Sequence, residues 1–317
     1  MYNIQLEKCL AQKYLLTKDP MNHGLVALTQ DNVARIEAIL CIDSNYRKSG
    51  DATACPLIGE YKKDSKNHKK GDNYISYGGS TAYWLIQLKK HLDNGLVTFD
   101  KNLFEGLPES IMEQWSVLFM KDVLKVRNNS AEEYSLEVAI YGTVSAIDRE
   151  NSTHLTSDQN SNKKGNGRIE LTKRILKIWG SIERHLRQRH FSLICYLSKK
   201  TNNGQGRENY SFATKFCHYA CYYWFYGQPE QDNYSICDNV LRKAVAEYAN
   251  VYGLHKHLNQ GKEFTEKDFA NYSLYSEVID ELRNKYGENI SRNGFDHLLW
   301  YYHKSGDFDD SETPDKE

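Results

Sequence analysis

The sequence predicts a mainly all-α protein, and three observations carry that prediction. Only five prolines fall in 317 residues, so few segments contain the residue that breaks helices. Long apolar runs of β-branched residues are scarce. Apolar residues instead recur three and four positions apart, which places them on one helix face. The length suits one large or two ordinary domains with a proper core.

In the first half, Asn32 to Ile42 repeats apolar residues at helical spacing, with Asp31 or Asn32 as its expected cap. Residues 60–79 are rich in Gly, Asn, Asp and Lys and read as a basic loop. Ser80 is positioned to cap a helix from Thr81 to Leu92. Glu109 or Ser110 opens another, with Met112, Trp115, Leu118, Phe119 and Val123 in one apolar stripe. Leu136 to Ile147 is an apolar element whose periodicity does not decide its type. These elements form a helical lobe over residues 1–150. The polar stretch 151–167 follows, either as the connection between lobes or as a mobile loop near a ligand.

The second lobe, residues 168–306, is strongly helical. Leu171, Ile175, Ile178, Ile182 and Leu186 line one face of its first helix, with Lys173, Lys177 and Arg184 on another. A short helix spans Phe191 to Leu197, and Thr201 to Gly206 reads as a turn. Ser211 is the expected cap of a helix carrying Lys215, Phe216, Tyr219 and Tyr223. Residues 227–233 form a loop before the helix of Val240, Leu241 and Val245. Two more segments, Glu277 to Tyr286 and Asn293 to His303, complete the set, the last with Phe295, Leu298, Leu299 and Trp300 on an amphipathic pattern. The acidic end, 307–317, is expected to be a disordered tail.

Net charge is -1, but its distribution is uneven. Between Arg168 and Lys215 there are 11 Lys or Arg against 3 Glu, and Lys62 to Lys70 is a second basic cluster. Such a chain can hold a polyanion on one face, although solvated helix faces carry similar runs. The 23 tyrosines suit both ordinary cores and base-stacking walls. The seven cysteines are an odd number with no Cys-x-x-Cys, and no stretch near 20 apolar residues or signal-peptide pattern is present. A reducing cytoplasm and no membrane contact are therefore expected. Cys217, His218, Cys221 and Cys237 have metal-binding chemistry, yet buried free cysteines are common and two ligands one turn apart need two more. No metal or other cofactor is expected.

The pairing of Lys215 with Asp238, 23 residues later, is the strongest chemical signal. A desolvated lysine at a helix start is a nucleophile for sugar or carbonyl carbons, and a carboxylate at the next helix start stabilises developing positive charge. The surrounding pattern, Ser211-Phe-Ala-Thr-Lys-Phe-Cys-His-Tyr219 and then Tyr234-Ser-Ile-Cys-Asp238, resembles the helix-hairpin-helix DNA glycosylases, nearest to the 8-oxoguanine glycosylase branch and its bacterial relatives. The resemblance covers about a third of the chain well. It places Thr214-Lys215 where the family carries its nucleophile and Ile236-Cys237-Asp238 where it carries its active-site aspartate. It implies a two-lobed helical fold, a flipped-out base and repair chemistry. Relatives occur in bacterial defence settings, which also implies a role against foreign nucleic acid. The chain departs from the family where Ser211-Phe-Ala replaces the Gly-x-Gly that lets backbone N–H groups approach a DNA phosphate. The Lys-to-Asp separation is also a few residues longer than the family's, an excess that loop 227–233 can absorb.

On this reading Ser211, Thr214, His218, Tyr219, Tyr222 and Trp224 are substrate-contact candidates, and Lys173, Lys177, Arg184 and Arg207 are backbone-contact candidates. DNA is favoured over RNA as the partner, with a free nucleotide also open. Two other readings stand beside it. One is a non-catalytic nucleic-acid or nucleotide binder on the same scaffold. The other rests on Arg184-His-Leu-Arg-Gln-Arg-His190, which resembles the Arg-and-His motif of the helical HEPN ribonucleases.

Overall fold

The computed structural model describes residues 16–40, 77–95, 131–150, 153, 155, 167–201 and 208–304. The described residues are mainly helical, and their β pairing is confined to an isolated antiparallel bridge between Lys18 and Val26. The expected helix after Ser110, most of loop 60–79, most of the stretch 151–167, Arg207 and the tail 307–317 lie outside the described residues.

The chain divides into two compact units, one of residues 1–43 with 232–317, the other of residues 44–231. The division differs from the one expected at 151–167. The helices on either side of that stretch, α3 (Ala131–Glu150) and α4 (Gly167–Arg187), pack on each other inside one unit. Asp148, buried near the end of α3, ties them together. Its Oδ2 pairs with Arg168 Nη2 at 2.8 Å, and its Oδ1 accepts from Leu155 N at 2.9 Å and Thr153 Oγ1 at 2.7 Å. Polarity alone marks a connection here, and the ion pair keeps both its ends in the same unit.

Within residues 44–231, α2 (Tyr77–Asn94) packs on α3 and on α6 (Tyr210–Trp224). The short α5 (Ser192–Ser198) packs on α4 and α6. The α4 stripe behaves as its spacing predicts: Leu171, Ile175, Ile182 and Leu186 are buried, Ile178 is half-buried, and Lys173, Lys177 and Arg184 are exposed. The α2–α3 contact is close because α3 presents Gly142 to the buried ring of Trp84. A Cβ at Gly142 would lie 2.5 Å from Trp84 Cδ2 and Cε2. Gly142→Ala is thus expected to destabilise the protein. Overpacking of about 1–3 kcal/mol outweighs the gain of about 1 kcal/mol that alanine brings to a helix interior. A lower thermal unfolding midpoint checks this, and an unchanged or raised midpoint contradicts it.

In the other unit, α1 (Gln30–Leu40) packs on α10 (Arg292–Lys304), and α7 (Asn239–Val251) packs on α9 (Tyr272–Tyr286) and α10. A short α8 (His255–Leu258) follows α7. Neither Asp31 nor Asn32 caps α1. The Thr29 hydroxyl accepts from Asn32 N at 3.2 Å, while the buried Asn32 amide reaches back to Thr17 and Ala27. Likewise α2 begins at Tyr77, ahead of the expected cap Ser80.

Tyrosine hydroxyls take over backbone pairing in this unit. Tyr248 Oη accepts from Val26 N at 2.9 Å and donates to Val26 O at 2.5 Å. Tyr272 Oη does the same for Ser235, accepting from its N at 2.9 Å and donating to its O at 2.8 Å. Buried N–H and C=O groups need partners, and one phenol supplies both a donor and an acceptor.

Candidate functional site

Helix α6 carries Lys215 in a fully enclosed stretch. Every residue from Phe212 to His218 is buried, Lys215 itself at 6% exposure. A helix that buries residues all round its surface sits in a core, where a lysine is rare. Phe212 and Phe216, three before and one after Lys215, stack with ring centroids 6.1 Å apart. The expected cap is corrected: α6 starts at Tyr210, one residue ahead of Ser211, which lies half-buried in the first turn. Asn209 occupies the capping position without using its side chain as a cap. Its Nδ2 donates instead to Lys199 O at 3.1 Å, and its backbone N to Ser198 O at 2.8 Å, which fixes the helix start against the end of α5. The buried Thr214 turns its hydroxyl to Ser211 O at 3.2 Å.

Further along α6 the aromatics divide. The His218 ring lies parallel to Tyr222 at 6.4 Å and edge-on to Tyr219 at 5.2 Å, forming one aromatic cluster on the helix. His218 and Tyr222 are buried, and Tyr219 is half-buried. Trp224 is not part of that cluster. Its Nε1 donates to Leu85 O at 2.7 Å, and its ring meets Trp179 edge-on at 6.1 Å, so it ties α6 to α2 and α4. Burial pushes the Cys217 and Cys221 thiols up, away from the reactive thiolate. Among the described residues, no group of three or more His, Cys, Asp and Glu is arranged to hold a metal ion.

Asp238 belongs to the unit of residues 1–43 with 232–317, whereas Lys215 belongs to the other. Asp238 caps α7: its Oδ1 accepts from Val240 N and Leu241 N, each at 3.1 Å. Its Oδ2 accepts from the Trp300 indole Nε1 at 3.1 Å. The extended residues before it are held one by one. Tyr272 satisfies Ser235, Arg292 Nη1 reaches Ser235 Oγ at 3.3 Å, and Ile236 lies between Asp296 Oδ2 and Tyr275 Oη, each at 2.7 Å. Cys237 Sγ donates to Phe269 O at 3.8 Å and accepts from Arg242 Nε at 3.4 Å. Sequence reasoning placed Trp300 in a closing helix and passed over Asp296, Arg292, Tyr272 and Tyr275. The available signal was the spacing of Arg292, Asp296 and Trp300 at i, i+4 and i+8, which puts all three on one face of α10.

The Arg184-to-His190 motif is split by the end of α4 at Arg187. His190 bonds to His185 through their Nδ1 atoms at 3.0 Å, with the rings edge to face at 5.2 Å. One ring must donate and the other accept. Burial, then the neighbouring His190 and Arg184, push the His185 imidazole below its ordinary value. Arg187 is engaged with Glu183 and Glu230 and lies over the Phe225 ring.

A family model described as HI_0787_N, an N-terminal domain, matches residues 119–222, a stretch that lies within the unit of residues 44–231 and includes Lys215. No curated protein and no solved structure matches the chain.

Proposed function

We propose that this protein is a DNA N-glycosylase and abasic-site lyase, with Lys215 as its nucleophile and Asp238 as its carboxylate. The observation that carries the reading is the buried lysine on α6, 6% exposed among residues that are themselves buried. An amine kept from water is the form that attacks carbon, and a lysine on a solvated helix face would lack that advantage. In the proposed reaction the Nζ lone pair bonds to C1′ as the C1′–N bond breaks, and the base leaves with the electron pair and takes up a proton. Opening of the sugar ring gives a Schiff base. Loss of a C2′ proton then expels the 3′ phosphate and cuts the strand. A carboxylate stabilises the positive charge that develops as the base departs. The His218–Tyr219–Tyr222 cluster supplies aromatic faces of the kind that hold a flipped base. The exposed Lys173, Lys177 and Arg184 supply charge for phosphates.

Borohydride reduction in the presence of DNA carrying damaged or abasic sites tests the proposal. It traps the Schiff base as a covalent protein–DNA adduct. Absence of an adduct across such substrates counts against the chemistry. Salt-sensitive binding that persists without an adduct then points to a binding protein.

The His185–His190 contact favours a second reading, in which a proton-sharing histidine pair beside Arg184 cleaves RNA. It predicts ribonuclease activity lost in His190→Ala and unaffected by Lys215→Gln. RNA left intact by the unaltered protein rejects it.

A further inference from the structure

Asp238 uses both carboxylate oxygens. Oδ1 takes the two N–H groups of the α7 cap, and Oδ2 takes the Trp300 indole. A cap alone leaves a carboxylate free to rock about its side-chain torsions, whereas a second donor on the other oxygen sets the plane of the group. Trp300 sits on α10 four residues after Asp296, so both side chains leave the helix on the same side. Asp296 accepts from Ile236 N, two residues ahead of Asp238, and Tyr275 closes the other side of that peptide through Ile236 O.

We propose that Trp300 and Asp296 are positioning residues that hold the Asp238 carboxylate in one orientation, Trp300 by its indole bond and Asp296 by fixing the backbone that enters the cap. The catalytic use of that orientation rests on the glycosylase reading above.

The chemistry around Asp296 suits the task. The residue is 1% exposed, and burial pushes its carboxyl well above the usual range. The Ile236 N–H bond and Arg292 pull it down, while Asp232 and Asp238 push it up again. Tyr272, Tyr275 and Cys237 are further titratable groups of this cluster, and Arg242 lies against Cys237. An asparagine there keeps an acceptor for Ile236 N, and a leucine keeps neither the acceptor nor the bond.

Two measurements test the inference, and the first needs no substrate. Amide hydrogen exchange at Val240 and Leu241, with the indole N–H of Trp300, reports whether the carboxylate stays in place. Trp300→Phe and Asp296→Leu are expected to speed exchange at both cap amides, and Asp296→Asn to leave it near the unaltered rate. Exchange unchanged in Trp300→Phe and Asp296→Leu overturns the inference. The second is steady-state turnover of damaged or abasic DNA at a temperature where every variant is folded. Trp300→Phe and Asp296→Leu are expected to lower kcat about 10- to 100-fold with KM nearly constant, as small misplacements of reacting groups do, and Asp296→Asn to restore it. A rise in KM with kcat intact overturns the inference. Altered exchange in a protein that turns over no DNA rejects the glycosylase reading while the positioning of Asp238 stands.

Discussion

Lys215→Gln is expected to abolish borohydride-trapped adducts completely, because the amide that replaces the amine cannot form a Schiff base. Glutamine is neutral and close to lysine in size, so it fits a position that is 6% exposed without placing a new charge there. Circular dichroism and a thermal midpoint near that of the unaltered protein separate lost chemistry from lost folding. Asp238→Asn is the matched partner. Asparagine caps helices about as well as aspartate, so the bonds to Val240 and Leu241 survive while the negative charge goes. Loss of a group that stabilises charge in a transition state lowers kcat by about 10²–10³-fold. Adducts that persist in Lys215→Gln, or full turnover in Asp238→Asn, remove these two residues from the mechanism.

Tyr248→Phe is expected to destabilise the protein by about 2–6 kcal/mol, since deleting one hydroxyl orphans two buried backbone groups at about 1–3 kcal/mol each. Both groups belong to Val26, which is fully buried, as is Tyr248. That is a large part of the ordinary stability of about 5–15 kcal/mol. Chemical denaturation measures it directly, and a change below 1 kcal/mol would show that water replaces the hydroxyl, a threshold of about the net worth of one hydrogen bond. The same phenol sets an alkaline limit. Burial first, offset by the Val26 bond and reinforced by Tyr302, Asp19 and Glu247, holds the Tyr248 hydroxyl well above its ordinary value. A group raised in the folded state contributes stability that is complete below its unfolded value, about 10 for tyrosine. That contribution is lost as pH rises toward the folded value, because the unfolded chain releases the proton first. Tyr275, raised by burial in the same way, adds to the loss. Stability is therefore expected to fall above about pH 10, and less steeply in Tyr248→Phe.

The stripes of α4 and α10 were legible because helical periodicity is local. Leu171, Ile175, Ile182 and Leu186 are buried as their spacing requires, and the lysines opposite them are exposed. Caps were harder. Asp31, Asn32 and Ser211 have the side chains of caps, but Asn32 is drawn inward by Thr17 and Ala27, and Asn209 precedes Ser211 at the start of α6. Asp238 was legible as a helix start, and its second oxygen was not, because Trp300 lies 62 positions further on. The role of the tyrosines was hidden for a similar reason. A phenol that satisfies Val26 or Ser235 does so across 222 or 37 residues, and no spacing rule records such a partner.

The sequence by itself determined the helical class, the buried and charged faces of its helices, and the residue types that make Lys215 and Asp238 chemically interesting. All of these depend on side-chain identity and on a period of 3.6 residues. Only the tertiary structure decided that Lys215 is enclosed, that Trp224 anchors a core, and that Asp238 accepts from Trp300 as well as from its own helix start. It also decided that residues 16–40 pack with residues 232–304, as α1 on α10 and Val26 on Tyr248 show. Burial and long-range hydrogen bonds depend on which distant segments meet, and local composition carries no record of that meeting.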